Sequence, residues 1–234
     1  MSSFEGTSSI MPGGGISRRP LDFFILADCS GSMTGEKIQA LNFAIADMLP
    51  HLAIWERDQE QAAMRVRAVA FGDEAVWHVA EPTPVSQLRW PPLQAKGRTR
   101  MGRALEVVAE AMNHLERRAL RPAVILITDG RPTDDFDSGL AALLATPAGR
   151  SALRLAVAIG RDAELDPLER FIGDPSVPVL VADSAEEIAD RLIAASIAVS
   201  RLSEVHVGGG HDASAKGVLA VRPPATPFDD ERIV

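Results

Sequence analysis

The run Phe23-Phe24-Ile25-Leu26-Ala27 is apolar without a break and stops abruptly at Asp28, after which Ser30 and Ser32 alternate with Cys29, Gly31 and Met33. A continuous apolar stretch of this length reads as a strand buried on both faces, the interior strand of a parallel sheet covered by helices. In an open sheet of that kind ligands bind beyond the carboxyl ends of the strands. Asp28, Ser30 and Ser32 leave such an end together. Three oxygen-bearing side chains at this spacing are able to converge on one small, hard cation.

The rest of the chain repeats the alternation of strand and helix. After Gly35, residues Ile38, Leu41, Ile45, Met48, Leu49 and Leu52 recur at three- and four-residue steps, which predicts an amphipathic helix lying on the sheet. Residues 64–71 and 75–79, joined by Gly72-Asp73-Glu74, read as a hairpin and give the sheet one antiparallel edge. Pro82, Pro84, Pro91 and Pro92 predict an irregular connection before a helix carrying Leu105, Val108 and Met112. Val124 to Thr128 is a second apolar strand that stops at an acid and a glycine, Asp129-Gly130. A helix over 140–145, a strand over 153–159, a short helix with Asp166 as N-cap, Pro167 at its first position and Gly173 as its stop, and a strand over 179–181 follow. Ser184-Ala185-Glu186-Glu187 is a capping box opening a helix with Ile188, Leu192, Ala195 and Val199 inward. The expected fold class is α/β: a doubly wound, mostly parallel sheet with one antiparallel edge strand and helices on both faces. Residues 1–19, rich in Ser and Gly, are expected to be a flexible leader, 20–202 the domain, and 203–234 a largely irregular tail.

Composition narrows the function. The 234 residues are 46% hydrophobic, enough for a substantial core, and the net charge is -8. An acidic chain of this kind lacks the basic face that general nucleic-acid or anionic-membrane binding needs. No apolar segment approaches the roughly 20 residues that cross a bilayer, and the first residues lack the apolar core of a secretory signal, so a cytoplasmic location is expected. The single cysteine, Cys29, rules out an intrachain disulfide and a zinc ribbon. With no histidine near it in sequence, it reads as a small core residue rather than a nucleophile.

Three loops carry the chemistry: Asp28-Cys29-Ser30-Gly31-Ser32, Gly97-Arg98-Thr99-Arg100-Met101-Gly102, and Thr128-Asp129-Gly130. In this order, each beside a strand end or the helix start facing it, they resemble the metal-ion-dependent adhesion site of the von Willebrand factor A domain family. More narrowly, residues 26–33, 125–134 and 195–200 look like the bacterial tellurium-resistance TerY group. The resemblance implies that Ser30 and Ser32 bind a metal directly, that Thr99 does so in the ligand-bound form, and that Asp28 and Asp129 act largely through water. It implies Mg²⁺ or Mn²⁺ ahead of Ca²⁺, and a protein partner whose Asp or Glu carboxylate completes the shell. It further implies a bacterial tellurite or chemical-stress role with a protein kinase and a PP2C-type phosphatase as companions. The chain departs from group members that carry a cysteine-rich C-terminal zinc module, because residues 203–234 contain no cysteine.

Blander readings stand beside these. Thr99 has a lesser alternative reading as the N-cap of the helix after it, a role compatible with the first. Arg98, Arg100, Arg103 and Arg131 are either ordinary solvated surface or a cationic rim steering an acidic partner. Asp134, Asp135 and Asp137 lack the regular spacing of a calcium loop and read as a solvated turn. Asp28 and Ser30 are expected on a solvent-facing loop. The competing function is a magnesium-dependent phosphatase or phosphotransferase of haloacid-dehalogenase type with Asp28 as nucleophile; that chemistry wants an acid where this chain has Ser30. The leading expectation is therefore a non-enzymatic, metal-dependent interaction module.

Overall fold

The computed structural model describes residues 18–59 and 61–205, with side chains described through Ala195. Residues 1–17 and 206–234, which hold most of the expected leader and tail, lie outside the described residues.

β1 (Arg19–Asp28) is the centre of a six-stranded sheet of order β3-β2-β1-β4-β5-β6. Leu21, Phe23, Phe24, Ile25, Leu26 and Ala27 are all buried, as a strand covered on both faces requires. Each large side chain so placed contributes about 1.5–3 kcal/mol. α1 (Glu36–Asp58) returns the chain to β2 (Ala62–Phe71), which pairs parallel to β1 with Asp28 opposite Phe71. The α1 residues expected to face inward are the buried ones, joined by Ala44 and by Glu56, whose carboxylate accepts the Met64 N–H at 2.9 Å.

β3 (Ala75–Pro84) is antiparallel to β2 and forms the edge. It runs past Pro82 to Pro84, beyond the Val79 expected from the sequence, because an edge strand has one side where a missing N–H costs no ladder bond. An irregular segment then leads to α2 (Met101–Met112) and to β4 (Ala123–Thr128), parallel to β1 on its other side. The chain thus winds outward from β1 in both directions, which puts the switch point between β1 and β4.

α3 (Phe136–Ala145), the short α4 (Pro147–Ser151) and β5 (Leu153–Ile159) continue the pattern, followed by α5 (Asp166–Ile172), β6 (Leu180–Ala182) and α6 (Ala185–Val205). α1 packs with α6, and α2 with α3, giving one helical layer on each face. The N-cap of α5 is Leu165, one residue earlier than expected. Asp166 and Pro167 therefore sit in the first turn, where an acid meets the positive helix end and a proline loses no helical bond. The left-handed Gly173 ends α5 at φ 68°. The capping box of α6 is offset too: Ser184 Oγ accepts the Glu187 N–H at 3.1 Å, while Glu187 reaches back to the N–H of Asp183 at 2.7 Å rather than to that of Ser184.

α2 and α3 approach through two glycines. A Cβ on Gly139 would lie 2.2 Å from the Gly102 carbonyl oxygen and 2.6 Å from its Cα, and one on Gly102 would lie 2.3 Å from the Asp135 carbonyl oxygen. All three obstacles are backbone, so neither helix is able to yield locally. Replacing a helical glycine by alanine ordinarily gains about 1 kcal/mol of helix propensity. Here overpacking outweighs that gain, and Gly139→Ala should destabilise by about 2 kcal/mol net, lowering the melting temperature by about 4–8 °C in calorimetry. An unchanged or raised melting temperature would show that the two helices separate freely.

Candidate functional site

The site begins with strand register. β1 and β4 pair with Ala27 opposite Ile127, so Asp28 and Thr128 leave the sheet side by side. The Thr128 hydroxyl donates to Asp28 Oδ2 at 2.5 Å, and Oδ1 accepts the Ser30 N–H at 2.7 Å. Thr128 Oγ1 in turn accepts the Gly130 N–H at 3.1 Å. One carboxylate thereby fixes both turns that carry the site. Asp28 is 0% exposed and Ser30 2%, which corrects the expectation that they lie on a solvent-facing loop. The loop is the outermost turn of the sheet crest, but its first residues fold under it. Burial pushes the Asp28 pKa up, against the hydrogen bonds from Thr128 and Ser30, with the Asp129 charge adding to the rise. A carboxylate with no exposure and an acceptor role at both oxygens is poorly placed for in-line attack on a phosphoryl group.

Above it runs a chain of oxygens. Ser30 Oγ and Ser32 Oγ are 2.9 Å apart, and Ser32 Oγ donates to Asp129 Oδ1 at 2.7 Å. The other oxygen of Asp129 is held by Lys37 Nζ at 2.5 Å. Lys37 stands in the first turn of α1 and was not among the residues singled out from sequence. The signal was present as a lysine one turn after the acidic loop, on the helix that packs over the strand ends.

The loop that carries Thr99 is tied to the Ser30–Ser32 turn through its backbone. The Gly31 N–H donates to the Gly97 carbonyl at 2.8 Å and the Lys96 N–H to the Cys29 carbonyl at 2.6 Å, clamping this loop against the Ser30–Ser32 turn. Gly97 has φ 82°, and a Cβ there would collide with the Asp73 carboxylate, whose Oδ1 accepts the Arg98 N–H at 3.1 Å. Thr99 itself is buried, with its N–H donated to Thr133 Oγ1 at 3.1 Å and its carbonyl accepting the Thr133 N–H at 2.9 Å. It is not the N-cap of α2, a position held by Arg100 without a side-chain cap. Asp134 performs that task from the next loop, accepting the Gly102 and Arg103 N–H groups at 3.0 and 2.8 Å. Asp135 caps α3 through the Ser138 N–H at 3.0 Å. Two of the three acids expected to make a solvated turn therefore hold helix ends, and Asp137 pairs with Arg170. The Thr99 hydroxyl makes no hydrogen bond among the described residues.

Around the crest Arg98, Arg100 and Arg131 are exposed. Arg131 is committed to Glu164 by two bonds of 2.6 and 2.7 Å, and Arg103 to Glu106 at 2.7 Å. Arg98 and Arg100 make no ion pair among the described residues. Cys29 is buried, its thiol pushed up to about 12 by burial first and by the Asp28 charge second. Among the described residues no three His, Cys, Asp or Glu side chains come together. The cluster is instead two carboxylates and a row of hydroxyls, a hard, all-oxygen donor set that suits Mg²⁺ or Mn²⁺ better than a soft metal.

A six-stranded mixed sheet with helical layers on both faces and an oxygen-rich crest at its switch point defines an α/β binding domain. Residues 22–191 match the von Willebrand factor type A domain, and the chain belongs to that family. Among solved structures it is similar to a von Willebrand factor type A protein from Catenulispora acidiphila, at 20% identity and TM-score 0.59 over 76% of this chain and 42% of that one. It is also similar to the ArnB paralog VWA2 from Sulfolobus acidocaldarius, at 14% identity and TM-score 0.56 over 75% of this chain and 45% of that one. A third is proximal thread matrix protein 1 from the mussel byssus, with a zinc-occupied MIDAS motif, at 14% identity and TM-score 0.57 over 78% and 46%. The matches span less than half the length of these three proteins, and at such identities they establish the fold alone. No curated protein matches the sequence.

Two outcomes follow from burial at the crest. Because the folded Asp28 binds its proton more tightly than the ordinary value of 3.8, its contribution to stability in chelator falls as pH rises from about that value through the folded pKa. Asp28→Asn removes this charge while keeping an acceptor for Ser30, so it should raise the melting temperature at pH 7 in chelator and flatten that part of the pH profile. A lower melting temperature would show that the carboxylate's bonds outweigh its desolvation. Cys29 should react with iodoacetamide at pH 8 roughly a hundredfold or more slowly than in denaturant, as the near absence of thiolate requires. Equal rates would refute its burial.

Proposed function

We propose that the chain is a non-enzymatic interaction module in which Asp28, Ser30, Ser32, Thr99 and Asp129 together hold Mg²⁺ or Mn²⁺, and a protein partner supplies an Asp or Glu carboxylate. The observation that carries the reading is the continuous oxygen path Ser30–Ser32–Asp129 at 2.9 and 2.7 Å, set over the buried Asp28. The metal would supply an electrophilic centre whose remaining position accepts the partner's oxygen. Ser30 and Ser32 offer neutral oxygens, Asp129 offers one carboxylate edge, and Asp28 fixes the turn and contributes charge from beneath. Thr99 brings a hydroxyl that makes no hydrogen bond among the described residues. Exposed Arg98 and Arg100 would attract an acidic partner to this face.

The narrower part of the proposal concerns context. The motifs over 26–33, 125–134 and 195–200 favour the bacterial tellurium-resistance TerY group, hence a cytoplasmic chemical-stress system with a protein kinase and a PP2C-type phosphatase as companions. No helix among the described residues is long and apolar enough to cross a membrane.

Isothermal titration with MgCl₂ and with MnCl₂ tests the metal step. Wild type should show saturable binding, Ser30→Ala and Asp129→Asn should weaken it by at least roughly tenfold, and all three should retain the same circular dichroism. A pull-down from native lysate should then lose its acidic partner when chelator is added. A flat wild-type titration would overturn the assignment.

A further inference from the structure

Lys37 is the charged group at the crest that the proposed function leaves unused. Its ammonium lies 2.5 Å from Asp129 Oδ2, on the carboxylate whose other oxygen faces Ser32 at 2.7 Å. The side chain is part-exposed, at 37%, and ion-paired to a carboxylate that is 1% exposed. It comes from the first turn of α1 and ends beside the turn after β5, where a Cβ built on Gly160 would lie 3.8 Å from Nζ and 4.0 Å from Cε. Gly160 has φ 91°, so the turn that leaves this room is one an L residue rarely adopts. The first turn of α1 and the turn after β4 thus set one positive charge against Asp129, beside the space left at Gly160.

We infer that Lys37 is a built-in counter-ion that weakens metal binding and in return strengthens the hold of the loaded centre on an anionic group. The inference rests on the proposed metal site. Asp28 and Asp129 bring two negative charges when both are ionised, and Lys37 cancels one of them. A dication arriving on the Oδ1 side meets a carboxylate already compensated on its Oδ2 side, and it meets a like charge across that carboxylate. Once the dication is bound, these groups carry a net charge of +1 with Lys37 in place and zero without it. Asp162, which also borders Gly160, does not alter this difference of one unit. On the proposed site that surplus would favour an anionic partner group. Lys37 is a positioning and charge-setting residue, not a ligand.

The test uses the full chain and three proteins: wild type, Lys37→Met, which keeps an unbranched stem and removes the charge, and Lys37→Arg, which keeps the charge. Free Mn²⁺ is followed by electron paramagnetic resonance during titration. Lys37→Met should bind Mn²⁺ roughly tenfold more tightly than wild type, the scale expected for one unit charge a few ångströms away across a partly hydrated gap. Lys37→Arg should remain within about twofold of wild type on the same reasoning. In chelator, Lys37→Met should melt lower than wild type, because Asp129 loses its counter-ion, while the rise in melting temperature on adding Mn²⁺ should be larger. A merely structural role would lower both states together. Equal or weaker Mn²⁺ binding by Lys37→Met, or Lys37→Arg behaving as Lys37→Met does, would overturn the inference and leave the metal site standing. Absence of Mn²⁺ binding by all three proteins would overturn the site and the inference with it.

Discussion

The hydrogen bonds converging on Asp28 hold the crest together. A parallel pairing of β1 and β4 makes their last residues neighbours, and Asp28 uses that adjacency to bind both following turns at once, through the Ser30 N–H and the Thr128 hydroxyl. Charge-assisted bonds of this kind are roughly twice as strong as neutral ones, and burial removes the water that would compete. The cost is desolvation of the carboxylate, visible as its raised pKa. The turns that follow β1 and β4 are positioned from beneath by a group that solvent does not reach.

A second constraint acts from the side. The loop carrying Thr99 has no sheet to hold it, so its place is set by backbone bonds to Cys29 and Gly31 and by the close contact of α2 with α3 at Gly102 and Gly139. Asp134 links the two, because it caps α2 from the loop that follows Asp129. The three loops are thereby cross-braced: the first to the second through Gly31 and Gly97, the second to the third through Thr99, Thr133 and Asp134, and the third to the first through Thr128 and Asp28. A small displacement of any one is resisted by the other two, which is the preorganisation that a site on loops needs.

Much of this was legible in the sequence, for physical reasons. The apolar runs ending at Asp28 and Asp129 fix strand identity because only a doubly covered strand tolerates them, and the three- and four-residue spacing in α1 admits no other element. Their order along the chain is what groups Thr99 and the two acids as candidates for one site. What could not be read was hydrogen bonding between loops distant in sequence. Thr99 looked like a helix cap because capping is ordinarily local, whereas Asp134, 32 residues away from Gly102, takes the task. Asp134 and Asp135 looked like a solvated turn because acids in turns usually are. The burial of Asp28 was hidden as well, since a residue at the end of a strand is normally the first to meet water. Lys37 escaped notice because a lysine in the first turn of a helix is commonplace, and only the tertiary fold places it on Asp129.

In donor chemistry this crest differs from a cluster of acids, histidines and cysteines. Its oxygens come mostly from hydroxyls, whose charge is zero and whose orientation follows from backbone turns rather than from electrostatics. Both of its carboxylates are buried, and one of them shares its charge with Lys37, so the negative charge presented outward is small. What the fold sets is a path of oxygens, Ser30 to Ser32 to Asp129, at separations of 2.9 and 2.7 Å. Beside that path the fold places one positive charge, Lys37 Nζ, 2.5 Å from Asp129 Oδ2.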